Sequence, residues 1–219
     1  VEPDPNAPDY ILYPPEAPAR LEGTVHDIEL VIEEMPMTVA KGDDGGFVQA
    51  VWTFNGTVPG PVIRVRVGDT IRVHLVNPES SQVGHSIDFH ASQVAWNDEM
   101  TTINPGEEKV YEWTADYAGV WMYHCGTSPA LHHIGNGMFG AIIIDPPELA
   151  PVDHEYVLVA SEWYLSGSGL EEPASLSMEK ARAMEPDWTT FNGYANQYVN
   201  HPLKADPGET TRFYVVAAG

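Results

Sequence analysis

The sequence predicts an all-β protein in which two β-sandwich domains follow one another, the second of them incomplete. Short apolar runs recur along the chain, and Gly, Pro, Asn or Asp separates them. Residues 26–32 alternate polar with apolar side chains, as a half-buried strand does. Two short sequences in the first half of the chain also recur in the second half. Together these observations favour antiparallel β-sandwiches in tandem.

The elements are predicted in chain order from these runs. Residues 1–23 are rich in Pro, Ala and charge and are expected to form an extended N-terminal arm. The first domain, residues 24–147, should contain strands at residues 26–32, 48–54, 62–67, 70–76, 108–114, 120–124 and 138–144. The second domain, residues 148–219, should contain a helix near residues 174–183 and strands at residues 155–160 and 212–218.

An internal repeat supports the tandem arrangement. Residues 54–56 (Phe-Asn-Gly) return as residues 191–193, and residues 67–73 return loosely as residues 207–213. Strands that would match residues 108–144 have no counterpart in the second copy. Because a half-sandwich has open edges and an uncovered face, we expect a missing segment to complete the second domain.

The composition limits the classes of partner. The chain has 32 acidic and 10 basic residues, a net charge of −22, which excludes nucleic acid because phosphate binding requires Lys and Arg. The acidity is consistent either with a solubility adaptation to high salt or with docking of a basic electron-donor protein. No apolar run is long enough for a membrane span.

Four residues have the spacing of ligands to one type 1 copper ion, namely His85, Cys125, His133 and Met138. Such a site combines two imidazoles and a thiolate with a weak axial thioether. Seven residues separate Cys125 from His133, and four separate His133 from Met138, in a loop between two predicted strands. His132 is the alternative to His133. Since the chain has a single cysteine, it forms no intrachain disulfide.

A second group comprises Asp88, His90 and His124. Because side chains alternate along a strand, Ser86, Asp88 and His90 should share one face. His124 and Cys125 are adjacent and should point in opposite directions. Two imidazoles and a carboxylate suit a type 2 copper with an acid–base group beside it. The peptide bond between His124 and Cys125 would then give an electron a short path between the two metals.

The motifs resemble those of copper-containing nitrite reductases. The resemblance covers about residues 24–219 and is strongest over residues 50–145. It is carried by residues 52–61 (Trp-Thr-Phe-Asn-Gly-Thr-Val-Pro-Gly-Pro), 85–91 (His-Ser-Ile-Asp-Phe-His-Ala), 104–107 (Asn-Pro-Gly-Glu), 123–125 (Tyr-His-Cys), 133–140 (His-x4-Met-Phe-Gly) and 191–193 (Phe-Asn-Gly). The loop between Cys125 and His133 matches a shorter-loop branch of that family.

The resemblance implies a fold, a reaction and partners. The fold would be two cupredoxin-like Greek-key domains in a homotrimer. The reaction would be the one-electron reduction of nitrite to nitric oxide and water, with the electron passed from type 1 to type 2 copper. The donor would be a small protein, a cytochrome c or a cupredoxin. The location would be periplasmic or extracellular, with the signal peptide already removed.

The resemblance also implies roles for individual residues. His85, Cys125, His133 and Met138 would bind type 1 copper, His90 and His124 would bind type 2 copper, and Asp88 would orient nitrite and supply protons. The family's third type 2 His lies late in the second domain, so the missing segment would supply it. His154 and His201 are expected at the surface or in turns.

Two other functions remain open. An electron-transfer cupredoxin would use the type 1 set alone and would leave Asp88, His90 and His124 unexplained. A two-domain multicopper oxidase would need a His-Cys-His motif at its thiolate, but Gly126 follows Cys125.

Overall fold

A computed structural model describes residues 3–42, 46–95, 100–167 and 173–219. The prediction of an all-β fold is confirmed, since strands dominate these ranges and both helices are short. The elements are β1 (Val25–Ala40), β2 (Phe47–Phe54), β3 (Ile63–Arg66), β4 (Thr70–Val76), β5 (Asp88–Phe89), β6 (Glu108–Thr114), β7 (Gly119–His124), α1 (Ala130–Gly135), β8 (Phe139–Asp145), β9 (His154–Trp163), α2 (Met178–Ala183), β10 (Trp188–Phe191) and β11 (Thr211–Ala217).

The chain divides into two compact units. Unit 1 comprises Val1–Ala17, Pro36–Val51 and Pro151–Gly219, and unit 2 comprises Pro18–Met35 and Trp52–Ala150. No helix in the described ranges is long and apolar enough to cross a membrane.

Two four-stranded sheets, with strand orders β2-β1-β4-β6 and β3-β8-β7-β5, have most of their strands in unit 2. Buried apolar side chains from both sheets form one core, in which Leu30, Ile71 and Ile142 have no exposed surface. Cys125 and Met138 belong to the same core. Two of the predicted type 1 ligands therefore lie in the apolar core of unit 2.

The expectation of purely antiparallel pairing is wrong in part. β1 pairs with β4 in parallel, as β3 does with β8, whereas β4–β6 and β7–β8 are antiparallel. Parallel neighbours cannot be joined by a tight hairpin and need a crossover. Both parallel pairs join strands that are distant in sequence, within sheets of mixed, Greek-key-like strand order.

The end of β7 is fixed by the packing of Tyr123. Its ring is fully buried, and its hydroxyl donates a hydrogen bond of 2.7 Å to the carbonyl of Pro61. A Cβ at Gly60 would lie 2.6 Å from that hydroxyl, and a Cβ at Gly140 would overlap the ring. Only glycine admits the ring at these two positions. Tyr123 in turn anchors the strand that ends at His124.

Unit 1 is built on a three-stranded sheet of order β10-β9-β11. β9 pairs antiparallel with β10 and parallel with β11. The predicted helix is shorter than expected and begins at Met178, where the Ser177 hydroxyl accepts a hydrogen bond from the Lys180 N–H. The helix ends at Ala183, and the next residue, Met184, caps it in a left-handed conformation with φ of 56°.

The repeated Phe-Asn-Gly motif makes the same turn in both units. Asn55 has φ of 57°, and its amide bonds the Val31 N–H and the Glu29 carbonyl at 2.6 and 3.1 Å. Asn192 has φ of 56°, and its amide bonds backbone groups of β9 at 2.8 and 2.9 Å. Asn tolerates this left-handed conformation better than most residues. The sequence repeat is therefore a repeat of structure.

Candidate metal centres

Three of the predicted type 1 ligands converge in unit 2. The Nδ1 atoms of His85 and His133 are 3.2 Å apart, and Cys125 Sγ lies 3.3 Å from His133 Nδ1. At most 4% of any of these three residues is exposed. Cys125 directly follows β7, and His85 is held by reciprocal backbone hydrogen bonds to Ile103 of 3.0 and 2.8 Å. Two separate segments of chain thus bring the donor atoms together.

Helix α1, which the sequence analysis did not predict, positions His133. Its six residues are too few for a helical hydrophobic period to be recognised. The Met138 N–H donates to the His133 carbonyl at 3.2 Å, and the Cys125 N–H donates to the Met138 carbonyl at 3.0 Å. The backbone of Met138 therefore contacts that of two predicted ligands, and its side chain is fully buried. His132 is not part of the cluster with Cys125.

The sulfur of Cys125 receives polar contacts from Ser86. The Ser86 N–H donates to Sγ at 3.3 Å, and the Ser86 hydroxyl oxygen lies 3.9 Å from Sγ. That hydroxyl accepts hydrogen bonds of 3.1 Å from the Gly126 N–H and from the Thr127 hydroxyl. Since it accepts from both, its own hydrogen is free to point at the sulfur. These contacts suit a thiolate.

This position of Ser86 corrects one expectation. Ser86 was expected to share a face with Asp88 and His90, but its hydroxyl contacts Cys125. The reason is that β5 contains only Asp88 and Phe89, so regular alternation does not extend back to residue 86.

The two imidazoles of the first cluster are held in their neutral form. Burial lowers the pKa of His85 to about 4. Burial also lowers the pKa of His133 to about 4, with smaller contributions from the neighbouring His85 and His132. At neutral pH both rings therefore offer nitrogen lone pairs, as a metal ligand must.

Sequence reasoning missed two residues beside this cluster. The Trp52 ring contacts the rings of His85 and His133 at centroid distances of 5.2 and 4.9 Å. Glu34 Oε1 lies 3.5 Å from His85 Nε2. Trp52 is the first residue of the motif at residues 52–61, and this motif was only a weak indication that Trp52 lies near the site. Glu34 lies far from His85 in sequence, and no local pattern marked it.

Asp88, His90 and His124 form the second cluster. The Nε2 atoms of the two His are 3.0 Å apart, and Asp88 Oδ2 lies 3.9 Å from His90 Nε2 and 3.7 Å from His124 Nε2. Asp88 and His124 are opposite each other in the β5–β7 ladder. The side chain of His90 is 46% exposed, whereas that of His124 is 10% exposed. The cluster is therefore open on the side of His90.

The tautomer of His124 follows from its backbone contact. Its Nδ1 lies 2.9 Å from the carbonyl oxygen of Cys125, which can only accept. Nδ1 therefore carries the hydrogen, and Nε2 presents a lone pair toward His90 and Asp88. Burial and the nearby His124 lower the pKa of His90, while Asp88 opposes that shift.

Both donor sets fit copper. The first combines a buried thiol and two neutral imidazoles, and Met138 has a thioether buried in the same core; these are soft or borderline ligands. Its three donor atoms converge within 4.8 Å of one another. The second offers two imidazoles and a carboxylate, also within 4.8 Å, which suit a metal with open positions. His154 and His201 join neither cluster.

Comparison with known proteins also indicates a copper protein. A family model described as multicopper oxidase matches residues 37–149. A copper-containing nitrite reductase of Neisseria gonorrhoeae is 39% identical over 180 residues, which cover 80% of this chain and 46% of that protein. The chain spans about half the length of the curated relatives it matches.

Solved structures of the same two kinds of copper protein are also similar to this chain. Copper nitrite reductase from Nitrosomonas europaea has a TM-score of 0.75 and 35% identity, over 88% of this chain and 67% of that one. A multicopper oxidase has a TM-score of 0.74 and 25% identity, over 88% of this chain and 62% of that one. The fold is cupredoxin-like, and its cofactor is copper. The chain belongs to the copper-containing nitrite reductases, within the multicopper oxidase family.

Proposed function

We propose that this chain carries the type 1 copper site and part of the type 2 site of an enzyme that reduces nitrite to nitric oxide. One nitrite, one electron and two protons give one nitric oxide and one water. His85, Cys125, His133 and Met138 would hold the type 1 copper. His90 and His124 would hold the type 2 copper, and Asp88 would be the catalytic acid.

The observation that carries the proposal is the covalent connection between the two donor clusters. His124 belongs to one and Cys125 to the other, and a single peptide bond joins them. The His124 N–H at Nδ1 also bonds the Cys125 carbonyl at 2.9 Å. An electron-transfer protein would need only the cluster at Cys125. A second cluster one residue away supports catalysis.

The chain's own residues have separate tasks in this reaction. Copper, when bound, supplies one-electron redox chemistry and a Lewis-acidic position for a nitrite oxygen. The half-exposed His90 leaves one side of the second cluster open to a small anion. Asp88 is only 15% exposed, and its Oδ2 lies 3.7 Å from His124 Nε2, which supports its proposed role as the acid that delivers protons to nitrite.

The partners follow from the same proposal. A small electron-donor protein, a cytochrome c or a cupredoxin, would deliver electrons to the first cluster. A homotrimer, with a further second-domain segment that supplies another His, would complete the second cluster. We further propose a periplasmic or extracellular location.

A second candidate is the reduction of oxygen by a two-domain multicopper oxidase. The family model and the solved multicopper oxidase favour it. Gly126 stands where such an enzyme would need a His after its thiolate. Oxygen consumption with a phenolic reductant, compared with nitrite-dependent nitric oxide release, separates the two functions.

Two substitutions test the proposed division of labour in the complete copper-loaded enzyme. Cys125→Ala should abolish the visible colour and leave the fold intact. His90→Ala should keep the colour but remove nitrite turnover, measured as nitric oxide release. A coloured Cys125→Ala variant would refute the type 1 assignment, and full turnover in His90→Ala would refute the type 2 assignment.

A further inference from the structure

Glu34 is a carboxylate beside the buried edge of the first cluster. It lies on β1, its side chain is 17% exposed, and Oε1 is 3.5 Å from His85 Nε2. The same oxygen accepts a hydrogen bond of 2.8 Å from the Gln82 N–H. The carboxylate is therefore held in place by a backbone donor close to His85 in sequence.

The far nitrogen of His85 needs an acceptor. Its Nδ1 faces His133, so a metal bound there leaves the hydrogen of the ring on Nε2. Nε2 is fully buried and makes no hydrogen bond to the described residues. A buried N–H without an acceptor is costly, and the Glu34 carboxylate is placed to receive it. At 3.5 Å the carboxylate acts on the imidazole mainly through its charge.

We propose that Glu34 is a positioning residue that sets the reduction potential of copper bound at His85. The inference rests on the proposed type 1 site. A negative charge on the far side of a ligating imidazole makes the ligand more basic and stabilises the more positive, oxidised metal. Glu34 thereby lowers the reduction potential of that copper.

The test uses Glu34→Gln in the complete copper-loaded protein, because Gln keeps the shape and an acceptor oxygen but removes the charge. Glu33→Gln is the matched control. It makes the same change in net charge at the adjacent residue, whose exposed side chain lies on the opposite face of β1. The readouts are the visible spectrum and a redox titration followed by colour.

At a fixed solution potential, Glu34→Gln should raise the reduced-to-oxidised ratio of the coloured copper roughly fivefold relative to Glu33→Gln. Equal ratios in the two variants would overturn the inference. If the Gln variant does not fold, Glu34→Asp decides. A smaller rise in the same direction supports the inference, and the wild-type ratio overturns it. A wild-type protein without colour would instead contradict the proposed type 1 site.

Discussion

The Ser86 hydroxyl is the polar group that organises the first cluster around Cys125, and Ser86→Ala removes it. The hydroxyl is fully buried and accepts hydrogen bonds of 3.1 Å from the Gly126 N–H and the Thr127 hydroxyl. Each such bond contributes about 1 kcal/mol, and an unsatisfied buried donor costs about as much again. Thr127 also bonds Thr102 at 3.0 Å, so its hydroxyl retains a partner. The expected destabilisation is about 1 to 2 kcal/mol.

Ser81→Ala provides the control for this prediction. Ser81 is 7% exposed and lies in the same unit, but its hydroxyl oxygen is buried without a hydrogen-bond partner in the described residues. Removing an unsatisfied hydroxyl should change stability by less than about 0.5 kcal/mol or increase it. The assay is urea unfolding of the metal-free protein. Equal losses of unfolding free energy in the two variants would refute the role assigned to the Ser86 hydroxyl.

Two further predictions concern packing and pH. Gly140→Ala should destabilise the protein by about 1 to 3 kcal/mol, because the new methyl group would overlap the buried Tyr123 ring, and chemical denaturation measures the loss. A wild-type denaturation midpoint would contradict this packing. The lowered pKa of His85 means that the unfolded chain binds a proton more tightly than the folded chain between pH 6.5 and about 4. The metal-free protein should therefore lose on the order of 3 kcal/mol from this group as the pH falls through that range. The loss should be smaller in His85→Gln, and an equal loss in both proteins would contradict it.

The sequence was informative where the chemistry is local. Cys125 and His133 lie in one loop, so their spacing in the sequence indicated a shared type 1 site. The structure brings the Cys125 sulfur and the His133 ring together. The roles of these residues, of Met138 and of the Asp88 cluster remain predictions, as does the division into residues 1–23, 24–147 and 148–219.

Contacts between segments that are distant in sequence could not be predicted from local sequence patterns. The pairing of β1 with β4 in parallel depends on crossovers that no local period encodes. Helix α1 is too short to leave a period, and the short β5 places Ser86 against Cys125 where regular alternation predicts the opposite face. Glu34 approaches His85 only because β1 lies beside that part of unit 2.

Electron paramagnetic resonance of the complete copper-loaded enzyme, recorded with and without nitrite, is the decisive test of the two proposed copper sites. We expect signals from both a type 1 and a type 2 copper, with nitrite altering only the type 2 signal. A single type 1 signal that is indifferent to nitrite would contradict this expectation, because the polypeptide would then carry electrons without a catalytic metal.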